Sequence, residues 1–321
     1  MGQRTTPPPA PPVEVRIPVP DLAPWLDGNT GIRGFTTRTA SAPGPHVALL
    51  ALTHGNEISG AIVLDRLLRT GVVPTRGRLT FGFVNLEAFQ RFDPRQPTNS
   101  RFVDEDINRV WEIAELDGPR HSVELERARE MRPLIDTVDV LLDLHSMLWP
   151  SEPLILCGET EKGKRLALDI GVPPMVVADR GHAGGKRIID YPRFADPDTP
   201  WAGNLIEAGQ HWEPEAVEIS QAAVAALLHN LEMAPRCAAL PPPPPRPPPR
   251  FARVTRVVTA TTASFGFMQA YRGGDVIARR NTIIALDGTA EIRTPHNDCL
   301  LVMPSLRPSR GHTAVRLAKF E

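Results

Sequence analysis

A histidine and a glutamate three residues apart, His54 and Glu57, stand where an apolar run gives way to a helix-patterned segment. The run 47–52 is short and bounded like a buried strand, and apolar residues recur at helical spacing over 58–68. A tight turn between the two segments would aim both side chains at one point, and imidazole and carboxylate are both zinc ligands. Alone the pair is weak support for a metal site, because a capping or surface pair has the same spacing.

Two more ionisable residues follow apolar strand patterns: His145 ends the pattern 138–145, and Glu207 ends the pattern 204–207. In an open α/β sheet, residues beyond the carboxyl ends of the strands gather at one site. His145 would therefore complete a His-Glu-His set that leaves a coordination position for water, as a catalytic zinc requires; a capping or core histidine is the alternative. Glu207 directly follows apolar residues, where lost hydration would favour its protonated form, and this suits a general base.

A charged stretch at 100–111 lies between the two halves of this set and carries Arg101, Asn108 and Arg109. A guanidinium group is the preferred partner for a planar carboxylate, because it can donate two parallel hydrogen bonds. The stretch therefore predicts a binding site for an acidic substrate. A solvated charged loop is the alternative interpretation.

Composition limits the classes of partner. Over 321 residues, 36 basic residues face 37 acidic ones, which removes the electrostatic argument for nucleic acid or an anionic membrane. No apolar run approaches the length of a membrane span, and the N-terminus lacks a secretory pattern, so we expect a cytoplasmic protein. Its widely separated cysteines argue against a disulfide framework and a Cys-rich metal site; they are Cys157, Cys237 and Cys299.

Two proline-rich stretches divide the chain. Prolines near the N-terminus predict an extended arm over 1–20, and the tract at 241–249 predicts a semi-rigid linker over 236–250. A ligand for a proline-recognition domain is the alternative for the second tract. The linker would separate a larger domain over 21–235 from a C-terminal domain over 251–321.

The two predicted domains differ in their patterns. Before the linker, strand-like and helix-like segments alternate, which predicts an α/β domain with a mainly parallel or mixed sheet covered by helices. Helix signals are clear at 161–170, which Gly171 would end, and after Pro214. After the linker, short β-rich runs separated by glycine-containing turns predict a small all-β domain, a barrel or a sandwich.

In order and spacing, the motifs of the larger domain resemble those of the aspartoacylase and succinylglutamate desuccinylase family, a branch of the zinc-carboxypeptidase superfamily. The resemblance implies a zinc-carboxypeptidase-like mixed sheet flanked by helices, followed by a small C-terminal all-β domain. The residues that carry it are His54-Gly55-Asn56-Glu57, Arg101, Asp106-Ile107-Asn108-Arg109, Asp143-Leu144-His145-Ser146 and Glu207-Ala208-Gly209.

The resemblance also implies roles. His54, Glu57 and His145 would bind one zinc ion per chain. Glu207 would be the general base and Arg101 would polarise the scissile carbonyl. A substrate carboxylate would be held by the Asn-Arg pair that ends the second motif, Asn108 and Arg109.

The implied activity is zinc-dependent hydrolysis of the amide bond of a small N-acyl amino acid or a related carboxylate-bearing acyl amide. A zinc carboxypeptidase would use the same groups on a peptide C-terminus, so it remains an alternative. A non-catalytic zinc-binding protein is a third reading, against which the retained Glu207 argues. The partner would be a small molecule, and assembly into a homo-oligomer stays open.

Two features of the family have no secure counterpart in the sequence, an additional substrate-binding arginine and a tyrosine late in the chain. The candidates are Arg180, Arg187 and Arg193 for the arginine and Tyr191 and Tyr271 for the tyrosine. The segment 179–187 is rich in glycine and basic residues, which suits a mobile lid or an anion-binding nest. A plain surface loop is equally consistent with it, so the sequence does not name the acyl group.

Overall fold

The structure of the protein is a computed structural model. It describes residues 14–182, 184–243, 245 and 247–321. Most of the predicted N-terminal arm, 1–20, lies outside the described residues, as do two positions of the predicted linker. None of the described helices combines the length and the apolar character needed to cross a membrane.

The described residues form two compact units. The larger contains Glu14–Ser146 and Pro153–Pro249. The smaller contains Arg250–Glu321 together with the short segment Met147–Glu152, whose last backbone N–H donates to the carbonyl oxygen of Gly273 at 2.8 Å. Sequence patterns did not indicate that this segment joins the C-terminal residues. The four-part division into an arm, a larger domain, a linker and a C-terminal domain stays a prediction.

A mixed sheet forms the centre of the larger unit. Its strands are β1 (Phe35–Thr39), β2 (His46–Ala51), β3 (Arg78–Phe83), β4 (Val140–Met147), β5 (Leu154–Leu156), β6 (Met175–Ala178) and β7 (Ala202–Gln210). They lie in the order β1-β3-β2-β4-β7-β5-β6. Strand β2 is parallel to β3 and β4, whereas β1 is antiparallel to β3 and β5 is antiparallel to β7. The predicted mixed sheet is therefore confirmed.

Helices flank this sheet. They are α1 (Ile58–Arg69), α2 (Leu86–Phe89), α3 (Ile113–Leu116), α4 (Val123–Ile135), α5 (Glu161–Ile170), α6 (Pro192–Ala195) and α7 (Pro214–Asn230), with 3-10 turns at Ala23–Trp25, Ile107–Arg109 and Ile188–Asp190. Helix α1 lies against β2 and α7, and α5 and α7 lie against β7. Every residue of β2 is buried, as expected for a strand covered on both faces.

Local signals explain where these helices begin and end. The Ser122 hydroxyl accepts the Leu125 N–H at 3.0 Å and caps α4, and Thr160 caps α5 in the same way. Gly171, with φ of 55°, ends α5 in the left-handed conformation that glycine adopts without steric cost. The bounds of α5 agree with the predicted helix over 161–170, which Gly171 ends.

The smaller unit is an antiparallel β region, as predicted for the C-terminal part. Its strands are β8 (Arg250–Thr259), β9 (Phe265–Phe267), β10 (Val276–Ile277), β11 (Ile283–Asp287), β12 (Ala290–Arg293), β13 (Cys299–Val302) and β14 (Thr313–Phe320). One sheet has the order β8-β14-β13-β10, and a second has the order β12-β11-β9. Buried side chains such as Ile284, Leu301 and Leu317 form its core.

Candidate metal centre and active site

The motif His54-Gly55-Asn56-Glu57 forms the turn from β2 into α1, and Glu57 is the residue that precedes the helix. Two glycines let neighbouring elements approach this turn. A Cβ at Gly55 would lie 2.5 Å from the backbone of Ala88 at α2. A Cβ at Gly60 would lie 2.7 Å from the Cβ of Leu144, so α1 packs closely over β4. This packing brings the motif beside the end of β4.

The structure brings the three predicted ligands together. Nδ1 of His54 lies 2.6 Å from one carboxylate oxygen of Glu57, and Nδ1 of His145 lies 2.9 Å from the other. One ligand atom from each side chain lies within 4.8 Å of the other two. All three residues are at most 4% exposed. Two imidazole nitrogens and a carboxylate therefore face one small volume.

Carboxylates hold the opposite side of each imidazole. Nε2 of His54 lies 3.0 Å from Asp106, and Nε2 of His145 lies 2.6 Å from Asp143. The second oxygen of Asp143 accepts the hydroxyl of Thr53 at 2.7 Å. Metal-ligating histidines almost always donate their outer N–H to such a group, which fixes the tautomer and leaves the inner nitrogen free to bind. The donor set therefore fits a zinc ion with an open fourth position.

Sequence reasoning assigned no role to these outer carboxylates, although a signal was present. Asp143 and His145 are two residues apart on β4, and side chains at that spacing share one face of a strand. Asp106 precedes a 3-10 turn, and its carboxylate also accepts the N–H of Asn108 at 2.9 Å. No strand or helix period relates Asp106 to His54, so only the folded chain reveals that pair.

Burial and neighbouring charges have opposite effects on the pKa values of Glu57 and His145. Burial would raise the pKa of Glu57, but His54 and His145 lower that pKa well below its ordinary value. Burial would lower the pKa of His145, but Asp143 and Glu57 raise it well above its ordinary value. Glu57 is therefore ionised, and the carboxylates around the two imidazoles attract positive charge to this volume.

Arg101 lies at the edge of the centre. Its guanidinium donates to Glu57 at 3.1 Å and to Asp106 at 3.2 Å, and it lies 2.8 Å from Nε2 of His54. Lost hydration would lower the pKa of Arg101, but the carboxylates of Asp106, Glu57 and Glu207 together raise it. The side chain is 39% exposed, so it also faces solvent. Arg101 is thus a cation beside the three ligands and open to a substrate.

Asn108 and Arg109 differ in exposure. Asn108 is buried: its side-chain oxygen accepts the Ile188 N–H at 3.0 Å, and its amide nitrogen lies 3.3 Å from Nε2 of His145. Arg109 is 24% exposed and donates to the backbone oxygen of Asn108 at 2.6 Å. Asn108 thus lies behind a candidate ligand. Its role in holding a substrate carboxylate, with Arg109, stays a prediction.

Glu207 is buried in β7, where it pairs with Leu154 of β5. The prediction that it ends its strand is wrong, since β7 continues to Gln210. Small residues follow it, and the strand continues through Ala208 and Gly209 although the apolar pattern has stopped. The charge of Glu207 contributes to the raised pKa of Arg101, so its carboxylate is within electrostatic reach of the centre.

A buried glutamate holds the loop between Arg101 and Asp106. Glu124, on α4, is 0% exposed. Its carboxylate accepts three successive backbone N–H groups, those of residues 103–105, at 2.6, 3.0 and 3.2 Å. It also accepts the side-chain amide of Asn85 at 3.0 Å. Successive N–H groups form an anion-binding nest, and here a side chain of the protein fills it. No sequence motif marks Glu124.

The three late arginines have different surroundings. Arg180 is 88% exposed. Arg187 is buried between two carboxylates, 2.8 Å from Asp179 and 2.7 Å from Asp190. Arg193 lies over a tryptophan ring, 3.9 Å from its centroid. Of the three arginines, Arg187 is adjacent in sequence to Ile188, whose backbone N–H donates to Asn108. The charge of Arg187 is, however, already paired with the two aspartates. The additional substrate-binding arginine therefore stays open.

The two candidate tyrosines, Tyr191 and Tyr271, make their contacts away from the three candidate ligands. The hydroxyl of Tyr191 donates to Asp136 at 2.8 Å and accepts from Arg132 at 3.1 Å. Tyr271 belongs to the core of the smaller unit. Neither contact involves the three candidate ligands, so the family's late tyrosine is not identified among them.

Comparison with known proteins agrees with the motifs. The family model described as the succinylglutamate desuccinylase/aspartoacylase catalytic domain matches residues 43–164. Aspartoacylase from Xenopus tropicalis is 29% identical over 121 residues, which cover 35% of this chain and 37% of that protein. The matched part thus spans little more than a third of that relative.

Solved structures share the fold over most of the chain. Succinylglutamate desuccinylase from Vibrio parahaemolyticus is similar with a TM-score of 0.68 and 16% identity, over 90% of this chain and 86% of that one. A succinylglutamate desuccinylase/aspartoacylase from Rhodobacter sphaeroides gives a TM-score of 0.65 and 18% identity, over 89% and 88%. Residues 43–164 therefore match the catalytic domain of the succinylglutamate desuccinylase/aspartoacylase family, and solved structures of such proteins share the fold, so the resemblance inferred from the motifs is confirmed.

Proposed function

We propose that the protein is a zinc-dependent amidohydrolase that removes the acyl group from a small N-acyl amino acid or a related carboxylate-bearing acyl amide. One observation carries the proposal: two imidazole Nδ1 atoms converge on Glu57 while a carboxylate holds each ring from behind. The family match over residues 43–164 supports the same class of chemistry. A small-molecule substrate and a cytoplasmic location are parts of the same proposal.

His54, Glu57 and His145 would hold one zinc ion per chain. When bound, zinc supplies Lewis acidity: it lowers the pKa of a water molecule and polarises a carbonyl group. The packing around the three side chains supports this role, because Asp106 and Asp143 orient the two imidazoles before any ligand arrives. Such preorganisation reduces the cost of binding the ion.

The chain itself would move the proton and hold the substrate. Glu207 would accept a proton from the attacking water and return it to the departing amine, as a general base and then a general acid. Arg101 would orient the scissile carbonyl, since it is partly exposed beside Glu57. Arg109 would bind the substrate carboxylate from the neighbouring loop.

The test combines metal analysis with a substrate panel. The purified protein should contain about one zinc per chain and hydrolyse at least one N-acyl amino acid. Dipeptides in the same panel distinguish a carboxypeptidase, and an inactive zinc-containing protein would indicate the non-catalytic alternative. His54→Ala should lose the metal, and full zinc retention in that variant would contradict the ligand assignment.

A second variant separates the base from the ligands. Glu207→Gln should keep zinc and fold while turnover falls by roughly 10²-fold to 10⁴-fold, because the amide keeps the shape but accepts no proton. Glu218→Gln makes the same chemical change at an exposed position of α7 and should leave turnover unaltered. Near-normal turnover in Glu207→Gln would remove Glu207 from the mechanism.

A further inference from the structure

A buried histidine with no role in the mechanism above lies just after β7. His211 is 3% exposed, and its Nδ1 lies 2.6 Å from the hydroxyl oxygen of Ser146. Ser146 directly follows the candidate ligand His145, and its backbone N–H donates to Glu57 at 3.1 Å. One serine therefore links the His211 ring to the carboxylate at the middle of the metal centre.

The turn that carries His211 is held in place by contacts of the next residue, Trp212. Trp212 has a φ of +63°, a left-handed conformation that is unfavourable for a bulky residue and that persists only where surrounding contacts enforce it. Its indole N–H donates to the backbone oxygen of Asn56 at 2.8 Å, inside the ligand motif. The two rings of the turn contact each other, with centroids 5.0 Å apart. Strain of this kind is concentrated at functional sites.

The imidazole of His211 is neutral at ordinary pH. Burial lowers the pKa of His211 to about 4; Glu57 opposes this shift, whereas Arg101, His54 and His145 reinforce it. These neighbours also show that the ring lies within electrostatic reach of the whole centre. A neutral imidazole carries one proton, and its other nitrogen is an acceptor.

The hydrogen bond to Ser146 indicates which nitrogen carries that proton. Within the described residues, the Ser146 hydroxyl has one hydrogen-bond partner, Nδ1 of His211. If Nδ1 accepts the hydroxyl proton, both groups are satisfied; if Nδ1 donates, the hydroxyl proton has no acceptor. The first arrangement leaves the proton on Nε2, and that N–H has no acceptor in the part of the chain that the structure describes. The ring is otherwise buried, so an Nε2–H without a protein acceptor can donate to an oxygen of a bound ligand.

We propose that His211 is a substrate-binding residue whose Nε2–H donates to the carbonyl oxygen of the acyl group and stabilises the negative charge that develops there. The inference rests on the proposed hydrolase function. A carbonyl oxygen has two lone pairs, so a neutral N–H donor can share it with the Arg101 guanidinium of the proposed function. It also suits catalysis, because a preorganised donor in a buried site stabilises developing charge without reorganising.

Two substitutions of similar size separate this role from a structural one. In His211→Asn the amide oxygen can take the place of Nδ1 and accept the Ser146 hydroxyl, but nothing replaces Nε2. In His211→Gln the longer side chain returns an N–H to the position of Nε2. We expect kcat to fall by roughly 10²-fold to 10³-fold in the Asn variant with little change in KM, and by less than about tenfold in the Gln variant. Equal zinc content and melting temperature in both are the control.

Each outcome of these experiments either supports or overturns the inference about His211. Undiminished kcat in His211→Asn, or equal losses in both variants, would overturn the inference while leaving the proposed function intact if the wild type is active. A wild type that hydrolyses no acyl amide would overturn the function and the inference together. Nitrogen-15 NMR of the wild type supplies a readout without substrate: a neutral ring with its proton on Nε2 supports the inference, and a proton on Nδ1 contradicts it.

Discussion

Replacing Asp143 with asparagine would reverse the direction of one hydrogen bond and thereby block the candidate metal ligand His145. Asp143 is fully buried, and its two oxygens lie 2.6 Å from Nε2 of His145 and 2.7 Å from the Thr53 hydroxyl. In Asp143→Asn the side-chain oxygen can still accept the hydroxyl of Thr53. The amide nitrogen then faces Nε2 and donates to it, so the imidazole proton moves to Nδ1, the atom that faces Glu57.

The size of the effect follows from these contacts. Loss of an outer hydrogen-bond partner of a ligating histidine typically lowers metal affinity about 10-fold to 100-fold. That range corresponds to about 1.4–2.8 kcal/mol of binding free energy. The change of tautomer adds the cost of displacing a proton from Nδ1, so we expect at least the upper part of the range.

Competition with a chromophoric chelator would measure the zinc dissociation constant. Asp27→Asn is the matched control, since Asp27 is exposed and the chemical change is the same. The variant should also unfold cooperatively, which circular dichroism would verify. A zinc dissociation constant within about twofold of the wild type would refute the assigned hydrogen-bond direction, and with it the reasoning about the ligand nitrogen.

Two further predictions concern stability. Glu124→Gln should lower the free energy of unfolding by about 1–3 kcal/mol in urea, because three backbone N–H groups lose a charged acceptor; Glu126→Gln, on the exposed side of the same helix, should cost less than about 1 kcal/mol. Side-chain hydrogen bonds from Thr261 and Thr262 lower the pKa of Asp287 to about 2. The stabilisation of the folded state by ionised Asp287 should therefore be present above about pH 4 and be lost as the pH falls towards 2. Over the same interval, the difference in unfolding free energy between the wild type and Asp287→Asn should shrink.

Much of the fold was predictable because it depends on local chemistry. Helix α5 has the predicted bounds, since Thr160 caps its start and Gly171 ends it. The buried strands β2 and β4 were found from apolar runs. The edge strand β1 was missed, because only its first residue is buried and its polar residues lack an apolar pattern.

The candidate metal centre was predictable to a similar degree. The rule for strand ends placed His54, Glu57 and His145 near one another, and the structure brings them together, although β4 continues past His145 to Met147. Asp106 and Glu124 act through contacts between segments far apart in the chain, which no local pattern records. His211 was missed because its significance depends on burial and on Ser146, and neither is visible in a lone histidine.

The close approach of α2 to Gly55 bears on how this motif is recognised in other sequences. Any side chain at that position would start within 2.5 Å of the Ala88 backbone, so the turn would have to open and the two ligands would separate. In other chains, a His-x-x-Glu segment with a bulky second residue is therefore not expected to build the same centre, whatever its flanking pattern. The glycine, whose lack of a side chain is what matters, is as diagnostic as the residues that would hold the ion.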